Sequence, residues 1–218
     1  ALIRRHTGTV QHRLAKARVA VAGLGGLGSN IAVSLARIGV GHLHLIDFDR
    51  VDITNLNRQQ YFIHQIGMAK TEALSEILLA INPYLTIQKD AVRITKENVP
   101  ALFQNDTYIC EAFDVPENKA MLAEAVLEHF PEKYLIAASG MAGYGNSNAI
   151  RTRKISSHFY LCGDETSEVC EGRGLMAPRV ALCAAHQANL AVELILKQAE
   201  TKEQPSCGSF PSARKREE

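Results

Sequence analysis

The chain has no tryptophan, few aromatic residues of any kind (6%), and a formal net charge of only +1 over 218 residues. A near-neutral chain lacks the basic excess that neutralises nucleic-acid phosphates, so no nucleic-acid partner is expected. No run approaches the roughly 20 consecutive apolar residues of a membrane-spanning helix, so no membrane association is expected either. The opening Ala1-Leu2-Ile3-Arg4-Arg5-His6 has neither the apolar stretch nor the cleavage signature of a secretory leader, which makes a cytoplasmic location the expectation. Cysteine is present but unpatterned. Cys110, Cys162, Cys170, Cys183 and Cys207 are odd in number and form no Cys-x-x-Cys pair. That spacing argues against a disulfide framework and against a paired four-cysteine zinc site, so reduced thiols and no zinc are expected.

What is there, 46% hydrophobic and 22% charged, is ordinary globular composition at a length that buries a full core. A single domain over 1–200 is expected. A polar tail over 201–218, ending Arg-Lys-Arg-Glu-Glu, is expected to be disordered.

Hydrophobic periodicity alternates along the chain. Arg18–Ala22 reads as a short buried strand running into Gly23, and 29–38 carries a helical apolar face through Ile31, Leu35 and Ile38, closed by Gly39 and Gly41. His42–Ile46 is the next strand, Ala69–Ile81 a helix ended by Asn82-Pro83, and Tyr84–Gln88 a strand. Tyr108–Ala112 and Tyr134–Ser139 read as strands on either side of a Pro116–Phe130 helix, and Ala149–Thr152 and His158–Leu161 as an antiparallel pair. A long helix over Arg179–Gln198 completes the pattern. Strands alternating with helices predict an α/β fold, a Rossmann-like doubly wound and mainly parallel sheet with antiparallel strands toward the C-terminal half.

The segment Gly23-Leu24-Gly25-Gly26-Leu27-Gly28 lies between the first strand and the first helix of that pattern. Glycines there permit a tight turn, close backbone approach to a phosphate and close helix–strand packing, and the helix start presents free N–H groups to an anion. Asp47 closes the second strand, where an acid is placed to accept hydrogen bonds from a ribose. NAD and ATP both fit this fingerprint.

The residues that follow bear on the choice. Arg58 and Gln59 stand in Asn55-Leu56-Asn57-Arg58-Gln59, and Lys70 opens the next helix. A triphosphate must be neutralised and held in line, which a planar guanidinium and a point-charge ammonium can do, with Asn55 and Gln59 adding neutral hydrogen bonds. Asp114 follows a later strand on the same sheet edge and could hold Mg²⁺ through oxygen. Glu111, inside that strand, reads as a paired structural charge.

Together these blocks resemble the ThiF/MoeB superfamily of ubiquitin-activating-type enzymes: Gly-Leu-Gly-Gly-Leu-Gly-Ser-Asn at 23–30, Asp-Phe-Asp at 47–49, Asn-Leu-Asn-Arg-Gln at 55–59, Lys70, and Ala-Phe-Asp at 112–114. The chain is most similar to the short ThiF-like proteins of thiamine biosynthesis, through Ile81-Asn82-Pro83, Ala138-Ser139-Gly140, Gly163-Asp164, Ser167-Glu168-Val169 and Pro178-Arg179-Val180. The resemblance implies ATP-dependent adenylation of the C-terminal glycine of a small ubiquitin-like sulfur-carrier protein ending in Gly-Gly, by a homodimer. It implies that Gly23, Gly25, Gly26, Gly28, Asp47, Asp49, Asn55, Arg58, Gln59 and Lys70 hold the nucleotide. Arg58, Lys70 and Asp114 would be catalytic, Asp114 through Mg²⁺.

Some relatives use a late-loop cysteine covalently. Cys170 lies in that region between Glu168 and Glu171, acidic neighbours that disfavour a thiolate, so a spectator thiol is expected. Relatives also borrow an arginine from the partner's N-terminus, for which Arg4, Arg5 and Arg13 are available without a matching motif. A molybdopterin-type carrier or another carboxylate is the alternative acceptor. An NAD-dependent oxidoreductase is the alternative chemistry, and a non-catalytic binding module a third reading.

Overall fold

A computed structural model describes residues 4–203. Its core is a seven-stranded sheet in the order β3-β2-β1-β4-β5-β7-β6. The strands are β1 (Arg18–Ala22), β2 (His42–Ile46), β3 (Thr86–Asp90), β4 (Tyr108–Glu111), β5 (Tyr134–Ala138), β6 (Arg151–Lys154) and β7 (Phe159–Gly163). All neighbours pair in parallel except β6 and β7, which pair antiparallel. The order reverses between β1 and β4, where a doubly wound sheet opens a crevice at its carboxyl edge.

The helices are α1 (Gly8–Lys16), α2 (Gly26–Ile38), α3 (Lys70–Ile81), α4 (Val99–Leu102), α5 (Pro116–His129) and α6 (Ala177–Glu203). Alternate strand residues serve opposite faces. Val19, Val21, Leu43 and Leu45 pack with Ile31 and Leu35 of α2, Leu74 and Leu78 of α3, and Ala184 and Ala191 of α6. Ala20, Ala22, Ile109 and Leu135 pack on the other face with Val99, Phe103, Leu122 and Val126. Both faces are covered, which is why β1 and β5 read as near-continuous apolar runs; β2 alternates with histidine yet is buried almost throughout.

The expected architecture stands, with local differences. Helix α1 was not expected from the sequence: its apolar signal is sparse, with Leu14 its one fully buried residue, and Thr7 starts it by accepting the Val10 N–H. Strand β3 begins two residues late because Asn82-Pro83-Tyr84 forms a turn, with Leu85 N–H donating to Asn82 O and Tyr84 left exposed. Helix α2 begins at Gly26, inside the glycine loop, so the loop itself supplies the first turn.

Helix α6 contains no run of about 20 consecutive apolar residues, being interrupted by Arg179, His186, Gln187 and Glu193. Over Ala177–Gln198 it is long and apolar enough to cross a membrane by length and composition, with a mean hydropathy of 1.2. Its apolar residues are used by the core, where Val180, Cys183, Ala184, Ala188, Ala191 and Ile195 are buried. The helix also runs to Glu203, past the expected boundary at 200, and the rest of the expected tail lies outside the described residues.

Candidate functional site

A cavity of about 750 Å³ opens at the carboxyl edge of the strands. The glycine loop forms one side, the ends of β2 and β4 the floor, and the segments after β5 and β7 the far wall.

The loop geometry explains its glycines. Gly23 has φ +91°, and a Cβ there would lie 2.9 Å from Ala112 O at the end of β4. At Gly28 a Cβ would lie 1.8 Å from Gly23 O, so α2 could not sit so close to the strand. Gly28 is therefore a packing residue: unlike Gly23, Gly25 and Gly26 it does not line the cavity. Gly25 caps α2 without a side chain, and the first intrahelical donor is Ser29 N, bonded to Gly25 O at 3.0 Å. The preceding N–H groups and the positive end of the helix dipole are what an anion would meet.

The loop is held from outside. Asp47 Oδ2 accepts the Leu24 N–H at 2.6 Å, and its Oδ1 accepts the Asp49 N–H at 2.8 Å. The Tyr61 hydroxyl donates to Leu24 O at 2.8 Å. Burial, with the charges of Asp47 and Asp49 adding to it, raises the Tyr61 phenol far above its ordinary range, so it remains a donor. Ser29 and Asn30 clip the arginine segment to α2: Gln60 N–H donates to Ser29 Oγ at 3.1 Å, and Asn30 Nδ2 to Arg58 O at 3.2 Å.

The structure brings Asp47, Asp49, Arg58, Gln59, Lys70 and Asp114 into the lining of this one cavity. Arg58 lays its stem against Gly26 and donates through Nη1 to Asn57 Oδ1 at 2.8 Å. Arg58 Nε and Gln59 Oε1 are buried without a partner among the described residues, in two side chains that line the cavity. Lys70 is buried and reaches Asp49 Oδ2 at 2.9 Å. Asp114 is exposed at the cavity rim, with no hydrogen-bonded or ionic protein partner among the described residues. Its free carboxylate is the hard-oxygen donor that Mg²⁺ prefers.

Asn55 is not brought to the cavity. Its Oδ1 accepts the Asp52 N–H at 3.0 Å and closes a capping box on the short 3-10 turn Ile53–Asn55, so it shapes the loop that delivers Arg58. Arg13, a candidate for action across a dimer, donates within its own chain to Leu196 O at 3.3 Å.

Sequence reasoning missed Arg93. Its guanidinium lies 4.4 Å from the centre of the Phe48 ring, and both side chains line the cavity. Only the pairing of β2 with β3 relates the two, and no local motif carries that. The late loop was visible through its residues. Arg179 at the start of α6 pairs with Asp164 and also donates to Gly145 O and Asn146 O. Burial would raise the Asp164 carboxyl. The N–H groups of Ser167 and Thr166, the Ser167 hydroxyl and Arg179 outweigh it and hold the group well below the usual carboxylate range.

Cys170 is exposed and lies outside the cavity wall, while Cys110, Cys162 and Cys183 are buried. Burial pushes the Cys162 thiol up to about 11 and the Cys183 thiol up to about 12. Among the described residues the cavity wall contains no histidine and no tyrosine.

Fold and site together define a doubly wound α/β protein with a glycine cradle and a polar, mixed-charge wall at its switch point. The chain belongs to the ThiF family, whose model matches residues 2–215. It is 31% identical over 193 residues to the molybdopterin-synthase adenylyltransferase of Salmonella typhimurium, covering 85% of this chain and 75% of that protein. It is 30% identical over 194 residues to the adenylyltransferase and sulfurtransferase UBA4 of Candida glabrata, covering 85% of this chain and 44% of that one, so it spans less than half of that relative's length. Among solved structures, the E. coli tRNA N6-threonylcarbamoyladenosine dehydratase TcdA in complex with ATP superposes with a TM-score of 0.84 at 23% identity, covering 92% of this chain and 94% of that one.

Proposed function

We propose that this chain binds ATP in the cavity and adenylates the C-terminal carboxylate of a small ubiquitin-like carrier protein. The observation that carries the reading is that Arg58, Lys70 and Asp114 line the same cavity as the glycine loop. The names of the Salmonella and Candida relatives, both adenylyltransferases, support it. An oxidoreductase is not favoured: among the described residues the cavity lining lacks the histidine or Tyr/Lys set that hydride transfer to or from a nicotinamide would use.

On this reading a carboxylate oxygen of the carrier attacks the α-phosphorus, the bond to the bridging α–β oxygen breaks, and pyrophosphate leaves with its electron pair. Arg58 and Lys70 hold the phosphates and offset the charge that builds on them. Asp47 keeps the glycine loop in place while its carboxylate retains lone pairs for a ribose. Asp114 would hold Mg²⁺, which supplies Lewis-acid stabilisation of phosphate charge when bound. The acceptor proposed is a Gly-Gly-terminated sulfur carrier of the thiamine type, with a molybdopterin-type carrier as the alternative. The working form proposed is a homodimer, and a 24 kDa species in sedimentation would count against it.

ATP–pyrophosphate exchange tests the function. Exchange that depends on a carrier ending in Gly-Gly, and disappears when the terminal glycine is removed, is the expected result. Tight NAD binding with no exchange on any such carrier would sink the proposal.

A further inference from the structure

Glu111 sits at the end of β4, 1% exposed, and does not line the cavity. Its carboxylate nevertheless accepts hydrogen bonds beside three stretches of the cavity lining, at Phe113, Lys119 and Ala138. Oε1 accepts the Phe113 N–H at 2.6 Å, one residue before Asp114. Oε2 accepts the Ala138 N–H at 3.3 Å, one residue before the Ser139-Gly140 turn. Both oxygens accept from Lys119 Nζ, at 2.9 and 3.1 Å, and the same ammonium donates to Ala138 O at 3.0 Å.

The sheet is parted at this point. The β4–β5 register ends at Cys110↔Ile136, and Gln187 of α6, fully buried, donates through Nε2 to both Glu111 O and Ile136 O at 2.9 Å. Side-chain groups thus take over where the strand ladder stops. Lys119 lines the cavity, yet its three protons already meet three acceptors, whereas Lys70 has one. Of the two lysines in the wall, Lys70 is the one with protons to spare for a ligand.

We propose that Glu111 is a positioning residue of this site: with Lys119 and Gln187 it wedges β4 from β5 and fixes Asp114 and the Ser139-Gly140 segment, both of which line the cavity. The assignment deepens the ATP-binding reading above and rests on it for its ligand. Lys119 acts as a strut rather than a phosphate ligand. In Glu111→Gln a single acceptor oxygen replaces two, so the amide nitrogen must face Phe113 N–H, Ala138 N–H or the ammonium.

The test combines hydrogen exchange with MgATP titration on Glu111→Gln, Lys119→Met, the double variant and Lys119→Arg. Exchange at the Phe113 and Ala138 amides should rise at least tenfold in Glu111→Gln, while Val21 and Leu45 stay within twofold. The dissociation constant for MgATP should rise at least fivefold in Glu111→Gln and in Lys119→Met. The double variant should be no more than twofold worse than either single one, and Lys119→Arg, which keeps the ion pair, should stay within threefold of the starting chain. A packing role alone would lower the melting temperature and leave MgATP affinity and the Arg rescue unmoved. Unchanged exchange and affinity in both single variants, or multiplying effects in the double, would overturn the proposal. If Glu111→Gln does not fold, the two Lys119 variants decide it. If the unaltered chain binds no ATP, the proposed function fails, while the exchange measurements still decide the role of Glu111.

Discussion

Asp47 and Leu24 are joined across the gap between β2 and the glycine loop by a 2.6 Å hydrogen bond from the Leu24 N–H to Asp47 Oδ2. The carboxylate that fingerprint reasoning assigns to a ribose is thus also a fastener of the loop. Asp47→Asn leaves one oxygen for the Leu24 and Asp49 N–H groups, so one loses its acceptor. The expected outcome is a loss of about 1–3 kcal/mol in denaturant unfolding, the usual cost of an unsatisfied donor. Calorimetric titration should show ATP affinity at least tenfold weaker, and unchanged affinity would remove the loop-fastening role.

Asp114 is the contrasting acid. It is exposed and has no hydrogen-bonded or ionic protein partner among the described residues, so Asp114→Ala should shift stability by no more than about 0.5 kcal/mol. Carrier-dependent pyrophosphate exchange should fall at least a hundredfold. Turnover retained in a stable variant would take Asp114 out of the proposed catalytic set.

Two glycines with different surroundings separate steric need from backbone conformation. Gly67 has φ +86° with open space around its Cβ position, so Gly67→Ala should cost about 1–2 kcal/mol, the penalty for a left-handed residue. Gly28→Ala drives a Cβ into Gly23 O and should cost more than the ~1–3 kcal/mol of an ordinary overpacked site. Equal melting temperatures for the two variants would contradict the packing geometry.

The Asp164–Arg179 pair predicts a pH dependence of stability. The folded carboxyl titrates below its unfolded value, so its stabilising contribution is complete above the unfolded pKa of about 4 and is lost as pH falls toward the folded one. Asp164→Asn should be less stable than the starting chain at pH 7, and the gap should narrow below about pH 4. A gap independent of pH in denaturant titrations would refute this.

The cysteines predict a labelling order. Peptide mapping after brief alkylation of the native chain should find Cys170 modified, and Cys110, Cys162 and Cys183 protected until unfolding. Cys170→Ser should retain carrier-dependent pyrophosphate exchange within twofold, and loss of exchange would make that thiol a participant.

Much of the fold was legible because its signals are local. Short, mainly apolar buried strands, helix stops at Gly39 and Asn82-Pro83, and the glycine loop each announce themselves within a few positions. Lys70 and Asp114 were legible for a related reason, since each stands at or beside the end of a readable element, whereas Arg58 and Gln59 were legible only as part of the polar Asn55–Gln59 motif. What could not be read depends on pairs made by the tertiary fold. Arg93 meets Phe48 only through the β2–β3 pairing, and the reach of Glu111 appears only once α5, β5 and α6 are packed around β4. Asn55 and Gly28 sit in the right motifs but spend their chemistry on the turn and on helix packing.

Helix α6 carries Arg179 in its first turn and Gln187 about 12 Å further along, at a rise of 1.5 Å per residue. One end grips the late loop through Asp164, and the middle holds β4 and β5 apart. A rigid rod with two such attachments works as a lever: a tilt or a slide that loosens the loop also disturbs the gap in the sheet. A displacement of the late loop that tilted α6 would therefore also move Gln187 and the ends of β4 and β5 that it joins.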